Sequence, residues 1–253
     1  MLKNKRILVA GAAGLLGREI VRSIVQEGGQ VVASDICDEA LSFLEQHLSV
    51  HTSGCIKIDI TNRGSIQEAL DHCIHIMGGL DGAVNAAYPR NKNYSRNVFE
   101  VTYEDFTENI GMHLGGYFIF MQQCAENIKE NGGAFSLVNL SSIYGVIAPK
   151  FDVYEETKMT MPVEYAAIKS SLLHLNRYFT NYMKGTAFRV NSVSPGGIFN
   201  NQDERFLQKY KSHCATKGML EASDVVGSIN FLLSDQSNYM KGQNIIVDDG
   251  YSI

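Results

Sequence analysis

The sequence predicts a single-domain, doubly wound α/β fold: a parallel sheet covered by helices on both faces. Three observations carry that reading. Short apolar, β-branched runs alternate with stretches of helical periodicity along almost all of the 253 residues, and this alternation specifies parallel strands joined by crossover helices. No Pro- or Ser-rich linker divides the chain and no internal repeat is visible, so residues 1–253 read as one domain with a substantial core. A glycine-rich turn joins the first strand to the first helix.

In chain order, RILVA (6–10) reads as the first strand and 16–27 as the first helix. QVVAS (30–34) precedes a helix over 38–47, CIKI (55–58) one over 63–76, and DGAVN (81–85) one over 103–130. AFSLVNL (134–140) is followed by a helix over 163–183, AFRVNSV (187–193) by one over 222–234, and NIIV (244–247) closes the sheet. Three segments break the rhythm: 87–102, rich in Asn, Arg, Lys and Tyr; 143–162, holding Pro149 and Pro162; and the stretch after Pro195. Each follows a strand, and long loops in an α/β protein usually carry function.

Composition excludes several classes. A net charge of −5 argues against nucleic acid as a partner, which usually needs a basic stripe. No apolar run reaches the length of a membrane span. The basic, then apolar start runs straight into the glycine turn without an A-x-A cleavage pattern, so a strand in a cytoplasmic protein is expected. Five scattered cysteines without a C-x-x-C pair fit reduced thiols. His72, Cys73 and His75 have no partner cluster, so no metal is expected.

The turn VAGAAGLLGREI holds Gly11, Gly14, Leu16 and Gly17. Glycines there permit a tight bend and let the backbone approach a pyrophosphate, which the free N–H groups and dipole of the helix N-terminus attract. Asp35 ends the second strand, 18 residues after Gly17. Its carboxylate suits both ribose hydroxyls of an adenosine and repels a 2′-phosphate, so NAD is preferred over NADP. The pattern Tyr-x-x-x-Lys then occurs twice, as Tyr154–Lys158 and Tyr165–Lys169. Local physics favours the second. From Pro162 onward apolar residues recur at helical spacing, placing Tyr165 and Lys169 on one face, whereas the first copy is short, charged and stopped by Pro162.

Together these residues resemble the short-chain dehydrogenase/reductase family over the whole chain. Asp59 and Ile60 in KIDIT match the family's adenine-contacting Asp and its neighbour, and VNAAY matches its Asn-Asn-Ala-Gly stretch, giving Asn85 and Ala86. SVSPGGI matches the Pro-Gly segment beside the nicotinamide, giving Pro195, Gly196 and Ile198. The resemblance implies a Rossmann-like fold with Ser142 holding the substrate oxygen, Tyr165 moving the proton and Lys169 binding the nicotinamide ribose. Counting from Ser142 points to Tyr154 and counting back from Pro195 points to Tyr165, so an insertion lies between them. In HLGG, His113 stands where the family usually has an Asn that completes a proton relay; the alternative is a satisfied core histidine. Leu15 replaces a glycine of the turn, and Asn200 stands where a threonine often touches the cofactor.

NAAYPRNKNY, the 141–169 segment and PGGI look like the compact reductases of bacterial flagellin and surface-polysaccharide modification. That likeness implies an NAD-dependent oxidoreductase interconverting a secondary alcohol and a ketone on a sugar or sugar phosphate. Two other readings stand beside it: a dinucleotide-binding regulatory protein without catalysis, and an epimerase or dehydratase that retains its NAD. A homodimer or homotetramer is expected through 103–130 and 163–183, with Phe118, Phe120, Leu172 and Leu175 as apolar contacts. Arg90, Lys92 and Arg96, with Lys150 and Lys158, are candidates to hold an anionic substrate group.

Overall fold

Seven parallel strands form one sheet in the order β3-β2-β1-β4-β5-β6-β7. They are β1 (Arg6–Ala10), β2 (Gln30–Asp35), β3 (Gly54–Lys57), β4 (Gly82–Asn85), β5 (Ala134–Leu140), β6 (Ala187–Pro195) and β7 (Asn244–Val247). The protein is described by a computed structural model covering residues 1–48 and 53–253. All seven expected strands are present, each within one or two residues of its expected ends. β1 pairs with β2 on one side and β4 on the other. The strand order therefore reverses beside β1, and the connections leaving β1 and β4 diverge to open a crevice at their carboxyl ends.

The alternation of side chains along β1 divides the core between the two faces. Ile7 and Val9 pack with Ile20, Ile24, Val225 and Ile229 from helices α1 (Leu15–Gln26) and α8 (Ser223–Leu233). Leu8 and Ala10 pack instead with Leu70, Phe120 and Leu172, from α3 (Arg63–Met77), α5 (Gly115–Asn131) and α6 (Val163–Tyr182). α2 (Asp38–Leu48) covers the β2–β3 end. A third apolar cluster sits apart from both, joining Tyr144, Val153, Phe206, Tyr210 and Tyr251. It ties the 143–162 insertion to the chain's last residues, above the carboxyl end of the sheet.

Two expectations about helices need correction. The segment 103–130 is not one helix: α4 (Tyr103–Asn109) passes into a π-helical turn, Ile110–Leu114, before α5. Of the turn's five residues His113 alone is fully buried; such turns recur at functional sites. The stretch after Pro195 contains a further helix, α7 (Glu204–Ser212). Its sequence ERFLQKYKS is mostly polar, and its apolar stripe is carried by Phe206 and Tyr210, one turn apart and both buried. Pro162 lies just outside α6, in extended conformation at its N-cap.

Candidate active site

The site is built from the glycine turn outward. Gly11 has φ +78°, and a Cβ there would lie 2.6 Å from the Ala87 nitrogen. Only glycine lets this turn press against the exit of β4. Gly17 is just as constrained, since a Cβ on it would run into the Gly11 carbonyl oxygen. No side chain caps α1, whose N-cap is Gly14. Its first N–H groups therefore remain free for an anion.

Two cavities flank this turn and share Gly14, Ala86, Ala87 and Tyr88 in their walls. The smaller, about 210 Å³, is lined by Gly11, Asp35, Ile58, Asp59 and Ile60. Asp35 Oδ2 accepts from the Ala13 N–H at 3.0 Å, and Oδ1 accepts from Ile36 at 2.9 Å and Cys37 at 3.3 Å. Two oxygens offer about four lone-pair sites, so acceptor capacity remains for a ligand. Asp59 Oδ1 accepts from the Thr61 N–H and hydroxyl, which fixes the loop against the same cavity.

The larger cavity, about 660 Å³, is lined by Leu16, Gly17, Ser142, Tyr165, Lys169, Pro195, Gly196 and Ile198, among others. Asn85, expected at the cofactor, and His113, expected in the proton relay, do not line either cavity: both are fully buried behind the walls. Asn85 Oδ1 accepts from the Ala87 N–H at 3.2 Å, while its Nδ2 has no partner. It shapes the wall that Ala86 presents.

α6 carries Tyr165 and Lys169 four residues apart, with the Lys169 ammonium nitrogen 5.4 Å from the centre of the Tyr165 ring. Ser142, two residues past β5, faces Tyr165 and favours its ionised phenol. Lys169 is buried and donates to the Leu140 carbonyl at 2.7 Å; its Nζ lies 3.4 Å from His113 Nε2. With Lys169 donating, Nε2 accepts and the unpartnered Nδ1 carries the ring proton. Burial first, then the Lys169 and Arg90 charges, hold His113 well below its ordinary value. Asn109 is tied instead to Asn91 and Glu164, so His113 is the residue of this helix that reaches Lys169.

The two copies of Tyr-x-x-x-Lys have different surroundings. Tyr154 is in a short 3₁₀ turn, and its hydroxyl donates to Tyr144 at 3.1 Å; Lys158 is exposed. Tyr154 does line the larger cavity, as a wall residue without a lysine beside it. A lysine ammonium one helical turn from Tyr165 is expected to lower its phenol, and this is not met in the protein alone. Burial raises its phenol above the ordinary value, against the lowering effect of Ser142, and burial also brings Lys169 down from 10.5 to about 7. The desolvated lysine is not the strong local cation that the pairing suggests.

The five candidate cations separate. Arg90 lines the larger cavity. Arg96 is paired with Asp105 at 3.1 Å, Lys150 donates to the Tyr251 carbonyl at 2.8 Å, and Lys92 and Lys158 are exposed outside the cavity walls. Residues the sequence did not single out complete the wall: Tyr88, Tyr144, Phe206 and Tyr210. Tyr210 and Phe206 belong to the unexpected α7, so no strand-end signal marked them.

Comparison with known proteins gives a consistent picture. A family model described as enoyl-(acyl carrier protein) reductase matches residues 11–252. The chain is similar to post-translational flagellin modification protein A of Campylobacter coli, 38% identical over 100% of both chains. It is also similar to a 7α-hydroxysteroid dehydrogenase of Bacteroides fragilis, 29% identical over 99% of this chain and 95% of that one. Among solved structures, a short-chain dehydrogenase of Leptospira borgpetersenii with bound NAD+ superposes with a TM-score of 0.87 at 30% identity, covering 100% of this chain and 94% of that one.

Proposed function

The chain belongs to the short-chain dehydrogenase/reductase family, and from that membership we propose that it is an NAD-linked oxidoreductase interconverting a secondary alcohol and a ketone on a sugar-derived substrate. The observation that carries this reading is the convergence of Ser142, Tyr165 and Lys169 on one cavity that adjoins a second cavity holding Asp35. The cradle fits a dinucleotide: a glycine turn too tight for a side chain, an uncapped helix N-terminus and a carboxylate at the far end. Asp35 and Asp59 would hold the adenosine, the α1 N-terminus the pyrophosphate, and the Pro195–Ile198 backbone with Lys169 the nicotinamide riboside. When bound, NAD supplies the hydride acceptor or donor.

The chain's own residues handle the proton and the orientation. Ser142 Oγ holds the substrate oxygen beside Tyr165 Oη, which takes the hydroxyl proton in oxidation and returns it in reduction. Lys169, brought to about 7 by burial, exchanges protons at neutral pH and would bind the nicotinamide ribose, while the Leu140 carbonyl and His113 Nε2 hold its amine in place. The resemblance to the flagellin modification protein is the support for a sugar precursor of a surface glycan as substrate, and a cytoplasmic site of action belongs to the same proposal. Among the described residues no helix is long and apolar enough to cross a membrane.

Assembly into a homodimer or homotetramer belongs to the same proposal, through only one of the expected side chains, Phe118, and two others. Phe120 and Leu172 are buried in the chain's own core and Leu175 packs against it. Among the described residues, Phe118, Tyr178 and Tyr182 are the large apolar or aromatic side chains exposed on α5 and α6, at 40%, 58% and 63%.

A cofactor prediction follows from Asp35. Wild-type protein should bind NADH more tightly than NADPH, and Asp35→Ala should narrow that gap. The variant loses a charged acceptor, at a cost of about tenfold in NADH affinity, and also the repulsion of a 2′-phosphate. Fluorescence titration with both reduced cofactors checks this; equal wild-type affinities contradict it. The activity itself is tested with NAD and a panel of hexoses, hexose phosphates and nucleotide sugars. One NADH should appear per ketone formed, whereas product without net NADH would favour an epimerase or dehydratase cycle.

A further inference from the structure

We infer that Arg90 is the anion receptor of the substrate pocket, so that the substrate is a hydroxylated compound carrying a phosphate or carboxylate; this rests on the oxidoreductase reading above. The chain is acidic overall, yet among the described residues no Asp or Glu lines the larger cavity, while two cationic side chains do, Arg90 and Lys169. Lys169 is buried and held by the Leu140 carbonyl. Arg90 is the cation left for a ligand.

The loop that carries Arg90 is fixed by polar contacts in which Arg90 itself takes no part. Arg96 and Asn93 bind Asp105, and Asn91 binds Asp105 and Glu108. The backbone N–H of Asn91, the residue next to Arg90, donates to Asn109 Oδ1 at 2.9 Å. Arg90 makes no hydrogen bond or ion pair with any described residue. Its guanidinium lies over the Tyr88 ring at 4.7 Å, and Tyr88 in turn meets the Tyr165 ring edge-on at 5.7 Å. A guanidinium resting on an aromatic face keeps its N–H fork free at the edges, and that fork matches two oxygens of a carboxylate or phosphate. The placement sets the anion one aromatic ring away from the proton-transferring phenol, so a substrate would present its alcohol to Tyr165 and its anionic substituent to Arg90. Arg90 does not line the smaller cavity around Asp35, where a cofactor 2′-phosphate would lie, and saturation with NAD during the binding test keeps the pyrophosphate site at the α1 N-terminus filled.

The test compares wild type, Arg90→Met and Arg90→Lys, each saturated with NAD. Glucose 6-phosphate, glucuronate and neutral glucose serve as binding probes in calorimetric titrations. At least one anionic probe should bind wild type more tightly than glucose does. Arg90→Met should weaken that probe by about tenfold to a hundredfold, the scale of a charge-assisted pair. Arg90→Lys should restore part of the affinity, and NAD and glucose binding should stay unchanged. Loss confined to the phosphate or to the carboxylate probe identifies which anion the fork prefers. Equal binding of charged and neutral probes by wild type, or Arg90→Met binding the anionic probes like wild type, overturns the inference. The two readings fail separately: an Arg90-dependent affinity without any NAD-linked turnover across the sugar panel removes the oxidoreductase reading alone, and NAD-linked turnover indifferent to Arg90 removes the anion site alone.

Discussion

Tyr165→Phe should reduce kcat by about 10²–10⁴-fold, the range of a lost general acid–base group, while NADH affinity stays within about threefold of wild type, roughly 0.7 kcal/mol. The substitution removes one hydroxyl and keeps the ring, so its edge-on contact with Tyr88 survives. Ser142 loses the neighbouring hydroxyl but still accepts from the Tyr144 N–H at 3.2 Å, so the strand end stays in place. Tyr154→Phe is the control. Its hydroxyl belongs to a chain of phenols running through Tyr144 to Tyr251, and losing it should raise KM more than it lowers kcat. Steady-state kinetics on both variants checks the assignment. An inactive Tyr154→Phe beside an active Tyr165→Phe would reverse the roles of the two motifs.

Lys169→Met should cost roughly a hundredfold or more in kcat/KM and should also change how stability depends on pH. Burial lowers the lysine from 10.5 to about 7. Between those two values the unfolded chain holds a proton that the folded chain has released, so stability of the cofactor-free protein rises with pH across that window. Below it, both states are protonated and the burial penalty is fully present. Urea midpoints measured from about pH 7 to about pH 10 should therefore climb less steeply in Lys169→Met than in wild type; parallel curves would mean that the amine is not desolvated. His113 is a positioning residue for the same amine. His113→Phe removes the acceptor facing Nζ, which disfavours the ammonium, so the alkaline limb of the kcat profile should move to lower pH. His113→Asn, which still offers an acceptor, should restore it.

The sheet was legible because its signal is local. RILVA and AFSLVNL are short β-branched runs flanked by helical periods, and burial on both faces leaves little other role for them. The glycine turn, Asp35 and the Tyr165–Lys169 pair were legible for the same reason, since spacing along one strand end or one helix face decides their placement. What could not be read depended on contacts between distant segments. The third apolar cluster joins residue 144 to residue 251, and α7 takes its two buried aromatics into that cluster rather than into the main core. The π-helical turn lies inside a continuous helical pattern, and only its packing against Lys169 gives His113 its place. Among the loop cations, composition could not separate Arg90 from Arg96, because the difference between them is the position of Asp105.

The proposed chemistry requires the two cavities to form one dinucleotide site that ends at Tyr165. A crystal structure of the NAD complex tests this directly. The account predicts the adenosine ribose on Asp35, the pyrophosphate at the α1 N-terminus and the nicotinamide between the Pro195–Ile198 backbone and Tyr165. NAD bound with its nicotinamide away from Tyr165, or its adenosine outside the Asp35 cavity, would contradict it.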